Sequence, residues 1–356
     1  MESVAGRRGG GPVTTPEMTN EPNLTDGPRL ADVVREYLDD LQHRVTVGHF
    51  RNVRGRLKRI LEALDAELVC DLKALDVLRY RNKVRTDGAS NRTANLFVDG
   101  LRAMLTWAVE CGVIERNPIG RVPRLPEGPG HQRCVRRALS DEEIDRFLRA
   151  ADEDDRHAAE LHDREGAGPG GRRSPGPRVP QGPLWKAFLE TGARWSELTR
   201  TRWRDLEAEE RVLLLRAETT KSRRKRVVPV GPGLHQVLLD LGPIHTAARG
   251  RAPVPEDSIF LTPEGATWGR PTSNAMRIFN RTLVRAGIER VDVDGRKLDI
   301  HALRHTFGSR LARRGVGLVQ VQRLLGHSDP KLTAQVYTHL DVEDLRRAVH
   351  RVFTDL

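Results

Sequence analysis

Cysteine, tyrosine and long apolar runs are scarce in this 356-residue chain. Its three cysteines lie far apart without a CxxC pair, so they favour neither a disulfide framework nor a zinc site and suit a reducing compartment. No stretch approaches the ~20 apolar residues of a membrane span, and the first residues lack the apolar core of a signal peptide. The sequence therefore predicts a soluble, cytoplasmic protein.

The charge of the chain has one dominant sign. Lysine and arginine total 60 against 49 aspartates and glutamates, which gives a formal net charge of +11 and a pI near 10.2. Such a surface attracts polyanions, of which nucleic acid is the obvious one. Charge alone would equally suit a basic protein with no such partner.

The predicted fold class is mainly α with a small antiparallel β-sheet (α+β), arranged in two domains. Apolar residues at helical spacing, such as Leu57, Ile60 and Leu64, predict a small all-helical first domain. A Pro-, Gly- and Arg-rich stretch predicts a basic linker after it. The predicted order is a flexible tail, the helical domain, the linker and the second domain: 1–27, 28–122, 123–138 and 139–356.

The second domain is predicted to be mostly helical around a β-hairpin. Ser140 and the acidic residues after it predict the start of its first helix, and the Gly- and Pro-rich residues 153–182 predict a mobile insertion. The runs "RVLLLRA" and "KRVVPV" predict the two hairpin strands. Further helices are predicted at about 271–287, 300–313, 317–325 and, as an amphipathic tail, 341–356.

The stretch "IHALRHTFGSRLARRG" places an imidazole beside a guanidinium. On a helix, His301 and Arg304 are three residues apart and share a face, so they could bind phosphate oxygens and move a proton beside them. Two alternatives remain: a zinc pair formed by His301 and His305, or a solvated helix face. The zinc alternative lacks the glutamate of an HExxH motif and a third ligand.

Two further basic residues stand near turns. Arg194 follows a break at Gly192, and Glu197 is close enough to orient its guanidinium. Lys221 lies near the tip of the predicted hairpin, where it could reach a substrate oxygen. Taken singly, Arg194 is an ordinary surface arginine, and Lys221 belongs to a solvated basic turn or an address signal.

The order of these motifs resembles that of the tyrosine recombinase (phage integrase) family. The family pattern is TGxRxxE, a hairpin lysine before a proline-ended strand, HxLRH, LGH and YxH. This chain has "TGARWSE", Lys221 with Pro229 eight residues on, "HALRH", "LGH" with His327 and "YTH" with Tyr337. Residues 139–356 carry the resemblance, and 28–122 are similar to the family's core-binding domain. Five motifs in one order are specific where each alone is not.

The resemblance implies a site-specific DNA recombinase that cleaves and rejoins strands through a 3′-phosphotyrosine intermediate. Tyr337 would be the nucleophile, Arg194 and Arg304 would bind the non-bridging oxygens, and Lys221 would be the general acid. His301 would assist proton transfer, and Glu197 would support Arg194. The remaining member of the implied catalytic set, a hydrogen-bond donor to the phosphate, is His327.

The resemblance also implies partners: double-stranded DNA, three further copies of the chain in a homotetramer on DNA, and in some systems accessory DNA-bending proteins. It implies no cofactor and no metal. Two departures from the pattern are the ten positions from His327 to Tyr337, where nine are usual, and the long insertion before "TGARWSE". No arm-binding domain is evident before residue 28. The competing interpretations are an inactive integrase-like DNA-binding protein, a topoisomerase-like relaxing enzyme and a nucleoid protein.

Overall fold

The structure is a computed structural model with two compact units, Met1–Arg133 and Cys134–Leu356. Helices dominate, and one small antiparallel sheet is present among the described residues, which confirms the predicted fold class. None of the helices in this part of the chain combines the length and the apolar character that a bilayer span requires. The described residues are 27–128, 131, 135–165, 178–220, 224–269, 273–337 and 346.

The N-terminal unit is a bundle of helices. The helices are α1 (Leu30–Arg44), α2 (Val47–Leu64), α3 (Ala74–Thr86) and α4 (Asn91–Glu110), and the first three pack against α4. Side-chain oxygens of Thr46 and Ser90 cap α2 and α4, because each accepts a hydrogen bond from a backbone N–H in the first turn. Asn95 exchanges two hydrogen bonds of 2.9 Å with the backbone of Leu125, so the chain beyond α4 packs back onto this unit.

The C-terminal unit surrounds an aromatic core with helices. Phe147, Trp185 and Phe279 are buried and lie with ring centroids 5.6 to 6.5 Å apart. The elements are α5 (Asp141–Glu165), α6 (Gly182–Thr191), α7 (Trp195–Leu198), β1 (Leu206–Glu207), β2 (Val212–Leu215), β3 (Arg226–Pro229), α8 (Pro232–Arg249), α9 (Ser273–Arg285), α10 (Ile300–Arg313), α11 (Leu318–Leu325) and α12 (Pro330–Tyr337). The central helix α10 packs against α6, α11 and α12.

The sheet contains the predicted hairpin. Strands β2 and β3 pair antiparallel, with Leu213 opposite Val228, and β1 adds a third strand next to β2. The prediction of two strands joined through a basic loop is therefore confirmed. The predicted helices near 271–287, 300–313 and 317–325 are confirmed as α9, α10 and α11. The predicted tails at 1–27 and 341–356 lie outside the described residues, apart from Gly27 and Arg346.

The prediction of a mobile insertion over residues 153–182 is wrong at both ends. Helix α5 continues to Glu165, and α6 begins at Gly182. Asp154 is buried and accepts hydrogen bonds from Arg281, Thr282 and Arg285 on α9, at 3.2, 3.1 and 2.7 Å. These contacts and the run of charged and alanine side chains continue the helix to Glu165, directly before the Gly- and Pro-rich stretch begins at Gly166. Residues 166–177 lie outside the described residues.

A second carboxylate on α5 fixes the start of α6. Asp155 accepts hydrogen bonds from the backbone N–H groups of Gln181 and Gly182, at 2.8 and 2.7 Å. Burial raises the pKa of Asp155 to about 6, although the two N–H donors oppose the shift. Helix α6 therefore begins at a defined place and leads directly to Gly192 and Arg194.

The buried His245 on α8 makes the stability of this unit sensitive to acid. Neither ring nitrogen has a hydrogen-bond partner among the described residues, and the ring packs edge-on against Trp203 at 5.6 Å. Burial, together with the nearby Arg249, lowers the pKa of His245 from 6.5 to about 4. As the pH falls below 6.5, the unfolded chain binds this proton before the folded chain does, so stability is lost between about pH 6.5 and 4.

Replacing His245 with Phe removes that titration and keeps a ring in place. We expect the variant to be as stable as the wild type at pH 7.5 and more stable by about 2 kcal/mol at pH 4.5. Urea unfolding followed by tryptophan fluorescence measures this, because four of the five tryptophans lie in the C-terminal unit. An equal free-energy difference at both pH values would contradict the assignment.

Candidate active site

The end of α6 positions Arg194, the first candidate catalytic residue along the chain. Gly192 has φ +59°, a left-handed conformation, and its N–H donates to the Phe188 carbonyl at 3.1 Å, which ends the helix. Arg194 then precedes α7 as its N-cap residue. A Cβ atom at Gly192 would lie 2.3 Å from Cδ1 of Phe307, so only glycine allows α10 to approach this closely.

Replacing Gly192 with Ala is expected to destabilise the C-terminal unit by at least about 3 kcal/mol, because the new Cβ adds a steric clash to an unfavourable φ. Gly250 is the matched control, since it also ends a helix with φ +70° but faces open space. Gly250→Ala should cost about 1 kcal/mol. Chemical unfolding of both variants gives the two values, and equal losses would contradict the packing argument.

Glu197 is a buried carboxylate held between two guanidinium groups. Its Oε1 accepts from Arg194 Nη1 and its Oε2 from Arg226 Nη2, both at 2.6 Å, and Oε2 also accepts the Arg194 backbone N–H at 3.0 Å. Burial alone would raise the pKa of Glu197, but Arg226 and the Arg194 N–H lower it below its ordinary value. The ionised carboxylate therefore holds the Arg194 side chain in one orientation.

Arg226 is the member of this cluster that sequence reasoning missed. The sequence places it only in the predicted strand "KRVVPV", whereas its side chain is 8% exposed and donates to the Leu324 carbonyl as well as to Glu197. One signal was available: Arg226 and Val228 are two apart on β3, so they share a face, and Val228 is an inward residue. Arg226 also lies 3.1 Å from where a Cβ of Gly326 would be.

Arg304 is a buried residue of α10. It is 3% exposed, and its Nη1 donates to the Gly192 carbonyl at 2.6 Å while Nη2 donates to the Leu325 carbonyl. Burial, followed by repulsion from Arg194 and Arg226, lowers the pKa of Arg304 to about 9. The side chain therefore remains a cation at neutral pH, and its hydrogen-bond partners in the described chain are carbonyls. An anion that approaches Arg304 would therefore stabilise its buried positive charge.

The two histidines of "HALRH" occupy successive turns of α10. Their ring centroids lie 5.6 Å apart at a steep angle, and His301 is the more exposed residue. Partial burial of its ring, together with His305 and Arg136, lowers the pKa of His301 below its ordinary value. His301 is therefore neutral at physiological pH and available to accept a proton.

His327 connects α11 to the helix that ends at Tyr337. It follows Gly326, which ends α11 with φ +64°, and its Nδ1 lies 2.8 Å from Oγ1 of the buried Thr333 on α12. Burial and the cations Arg304 and Arg194 lower the pKa of His327 to about 4, so the ring is neutral at pH 7. The Thr333 contact sets the orientation of the ring.

Part of this set borders one cavity of about 620 Å³, which His301 does not line. Arg194, Glu197 and His327 line it directly, and Arg304 lies next to it through its bonds to the Gly192 and Leu325 carbonyls. The cavity is bounded on the remaining sides by residues of the hairpin and of α11, namely Thr220, Arg224, Lys225, Arg226, Val319, Gln322, Arg323, Gly326 and Ser328. The arrangement gathers guanidinium groups around a space large enough for a phosphodiester.

The structure does not describe the side chains of two predicted site residues, Lys221 and Tyr337. Lys221 lies outside the described residues, although its neighbours Thr220 and Arg224 line the cavity and are joined by a hydrogen bond of 3.1 Å. Tyr337 is the last residue of α12, and its side chain is not described. The positions of Lys221 and Tyr337 in the site thus stay predictions, while Arg194, Glu197, Arg304 and His327 are brought together.

Comparison with known proteins gives one family. Residues 180–344 match the model of the phage integrase family, a stretch that contains every candidate residue from Arg194 to Tyr337. A tyrosine recombinase XerC from Pseudomonas fluorescens is 27% identical over 321 residues, which cover 89% of this chain and 93% of that protein.

Two solved structures share the fold. The Tn1549 transposon integrase, in complex with a circular intermediate DNA, has a TM-score of 0.61 and 21% identity, with 90% of this chain and 99% of that chain covered. A lambda integrase tetramer bound to a Holliday junction has a TM-score of 0.66 and 17% identity, with 89% and 80% covered. Both neighbours are integrases that were solved with DNA.

Proposed function

We propose that this chain is a tyrosine recombinase of the phage integrase family, a site-specific DNA recombinase that cuts and rejoins strands through a 3′-phosphotyrosine link. The observation that carries the proposal is the buried Glu197 with Arg194, placed beside the cation Arg304 and the neutral His327 around one cavity. Such a set binds the oxygens of a phosphodiester and stabilises the charge that builds on them in the transition state.

In the proposed reaction, the phenol oxygen of Tyr337 attacks the scissile phosphorus. A bond forms between phosphorus and the tyrosine oxygen, and the bond to the 5′-oxygen of the next nucleotide breaks. Lys221 gives a proton to that leaving oxygen, and His301 takes the phenol proton. The products are a 3′-phosphotyrosine and a free 5′-hydroxyl. Because the phosphotyrosine link preserves the energy of the phosphodiester bond, rejoining the strands needs no ATP or other nucleoside triphosphate.

The geometry supports separate roles for the basic groups. Arg194 and Arg304 would each present a planar fork to the non-bridging oxygens, where negative charge increases. His327 is neutral and fixed by Thr333, so it would donate a hydrogen bond from its other ring nitrogen to the phosphate. Glu197 is buried against Arg194 and Arg226 and would not contact the DNA. Each role is thus matched to the burial and the charge of the residue.

The proposal extends to the assembly and to the N-terminal unit. The helical residues 28–122 would form a second DNA-binding domain, joined by a basic linker at 123–138, and four copies would assemble on paired sites. The tail at 341–356, with its apolar stripe, would dock on a neighbouring copy. The lambda integrase neighbour was solved as a tetramer on a Holliday junction, which supports the same assembly here.

The test starts from a DNA site recovered by selection from a random duplex library. A version with a nick just 3′ of the cleavage position releases a short 5′-hydroxyl fragment after cutting, so the covalent complex accumulates. We expect this complex with the wild type and with Tyr80→Phe, and none with Tyr337→Phe. Tyr80 is a fair control because it packs edge-on against Phe97, 5.6 Å away, in the N-terminal unit.

The other outcomes of this experiment separate the alternatives. Persistence of the complex in Tyr337→Phe would contradict the assignment of the nucleophile. Tight binding by the folded wild-type chain without any cleavage would identify an inactive DNA-binding protein. Relaxation of supercoiled plasmids that lack the selected site would identify a relaxing enzyme instead.

A further inference from the structure

A second cavity lies in the C-terminal unit, on a surface of α10 outside the catalytic cavity. It has a volume of about 520 Å³, and His305, Ser309 and Arg313 line it from α10 while Arg136 lines it from the segment before α5. None of its lining residues borders the catalytic cavity. We call it the α10 cleft.

The α10 cleft extends away from the proposed scissile phosphate. His301, His305, Ser309 and Arg313 are spaced four residues apart, so successive side chains advance about 6 Å along the helix. His305 is therefore about 6 Å, and Arg313 about 18 Å, along the axis from His301. A DNA strand held at His301 has its neighbouring phosphates at comparable distances.

The charges of the α10 cleft leave a positive surplus. Four arginines line it against two carboxylates. Arg137 pairs with Glu143, at 2.7 and 2.9 Å, Arg296 pairs with Asp292, at 2.8 Å, and Arg136 pairs with Asp299, which is not part of the lining. Arg313 forms no ion pair with a carboxylate of the described chain. The cleft is thus suited to an anion.

Arg136 is held so that part of its guanidinium is available. Its Nε donates to both carboxylate oxygens of Asp299, at 2.9 and 2.8 Å, which leaves the two terminal amino groups. Asp299 is the N-cap of α10 and accepts the Ala302 N–H at 3.0 Å. The backbone beside Arg136 is also fixed, because the Lys297 N–H donates to the Val135 carbonyl at 2.8 Å. Arg136 is therefore preorganised at the end of α10 that carries His301.

We propose that the α10 cleft binds backbone phosphates of the substrate strand beside the scissile phosphate, with Arg136 as the donor at the His301 end of α10 and Arg313 as the donor to a phosphate further along the strand. The proposal rests on the proposed function, because it places the scissile phosphate at His301. Planar guanidinium forks match phosphate oxygens, and a phosphate bound at Arg136 is tied through Asp299 to the start of α10. The cleft thereby fixes the register of the strand relative to His301 and Arg304.

The test measures binding, so it does not depend on cleavage. In a Tyr337→Phe background, duplexes from the selected site carry one neutral methylphosphonate at a time in the three phosphates on each side of the cleavage position. We expect one flanking substitution to weaken binding by about tenfold, and Arg313→Gln to weaken binding by about the same factor. When the two changes are combined, the second should weaken binding by less than about a further twofold. Arg313→Gln alone should make the slope of log K against log salt less steep by about 0.9.

Arg314→Gln is the matched control. It removes the same charge from the next residue, which does not line the α10 cleft. We expect it to leave the methylphosphonate penalty unchanged. Arg136→Gln should show the same coupling at a phosphate closer to the cleavage position.

The outcomes that would overturn the inference are distinct from those that would overturn the function. Additive penalties for Arg313→Gln and for every methylphosphonate mean that the cleft binds no flanking phosphate, even if the wild type forms the covalent complex. A different result would identify a site for a free anion instead: inorganic phosphate stabilises the wild type but not Arg313→Gln against unfolding, while the penalties on DNA binding are additive. Absence of the covalent complex in the wild type would contradict the function and would leave the coupling at the phosphate measurable.

Discussion

Replacing Arg304 with Gln is expected to lower the rate of strand cleavage by about 10³-fold or more. The side chain is a buried cation whose hydrogen-bond partners in the described chain are the carbonyls of Gly192 and Leu325, so its charge is available to the phosphate. Loss of one preorganised donor to a developing oxyanion costs about 10²–10³ in rate, and here a full charge is lost as well. Glutamine also leaves one of the carbonyls without its donor, which costs about 1–3 kcal/mol of stability.

Single-turnover cleavage at saturating DNA measures this effect apart from binding. Arg310→Gln is the matched control, since Arg310 lies on the same helix and pairs with Asp141 at 2.8 Å outside the catalytic cavity. We expect the control to cleave within about threefold of the wild type. Arg304→Lys should also be strongly impaired, because a single ammonium cannot reproduce the fork. Cleavage by Arg304→Gln within tenfold of the wild type would remove Arg304 from the proposed mechanism.

Replacing Glu197 with Gln is expected to destabilise the C-terminal unit by about 3–5 kcal/mol. The substitution preserves the shape of the side chain but leaves Arg194 and the buried Arg226 without their common counter-charge. A buried ion pair that loses one partner costs far more than a surface pair, because the remaining charge is still desolvated. Urea unfolding followed by tryptophan fluorescence gives the free energy of unfolding.

Glu190→Gln is the control for the removal of a carboxylate alone. Glu190 pairs with Lys186 at 2.9 Å on the surface of α6, and we expect a loss below about 1 kcal/mol. Adding Arg226→Met to Glu197→Gln should recover part of the lost stability, since it removes the stranded buried cation. Equal losses for the two glutamates, or no recovery in the double variant, would mean that the cluster does not depend on charge pairing.

Parts of the site were predictable because they depend on local rules. Gly192 follows a helical run and precedes Arg194, which is the ordinary position of a glycine that ends a helix, and the structure has it at φ +59°. The i, i+3 spacing of His301 and Arg304 fixed their common helix, and the apolar runs before and after Lys221 fixed the hairpin. Each of these features is decided within a few residues of sequence.

Other parts depend on contacts between distant residues and could not be predicted in this way. The burial of Arg226 follows from a carboxylate 29 residues earlier and a carbonyl 98 residues later. The burial of Asp154 on α5 likewise follows from arginines of α9, far along the chain. Helix α8 continues through Pro243, where local propensity favours a break. Such features require the fold to be known before they can be recognised.

The central claim is that the phenol of Tyr337 becomes joined to DNA, and a map of the covalent complex tests it most directly. The complex from the nicked duplex is trimmed with nuclease, digested with trypsin and analysed by mass spectrometry. The chain has only three tyrosines, so the possible tyrosine sites are Tyr37, Tyr80 and Tyr337. The account predicts a nucleotide adduct on the peptide 332–346, at Tyr337. An adduct on Tyr37, on Tyr80 or on a residue that is not tyrosine would contradict it.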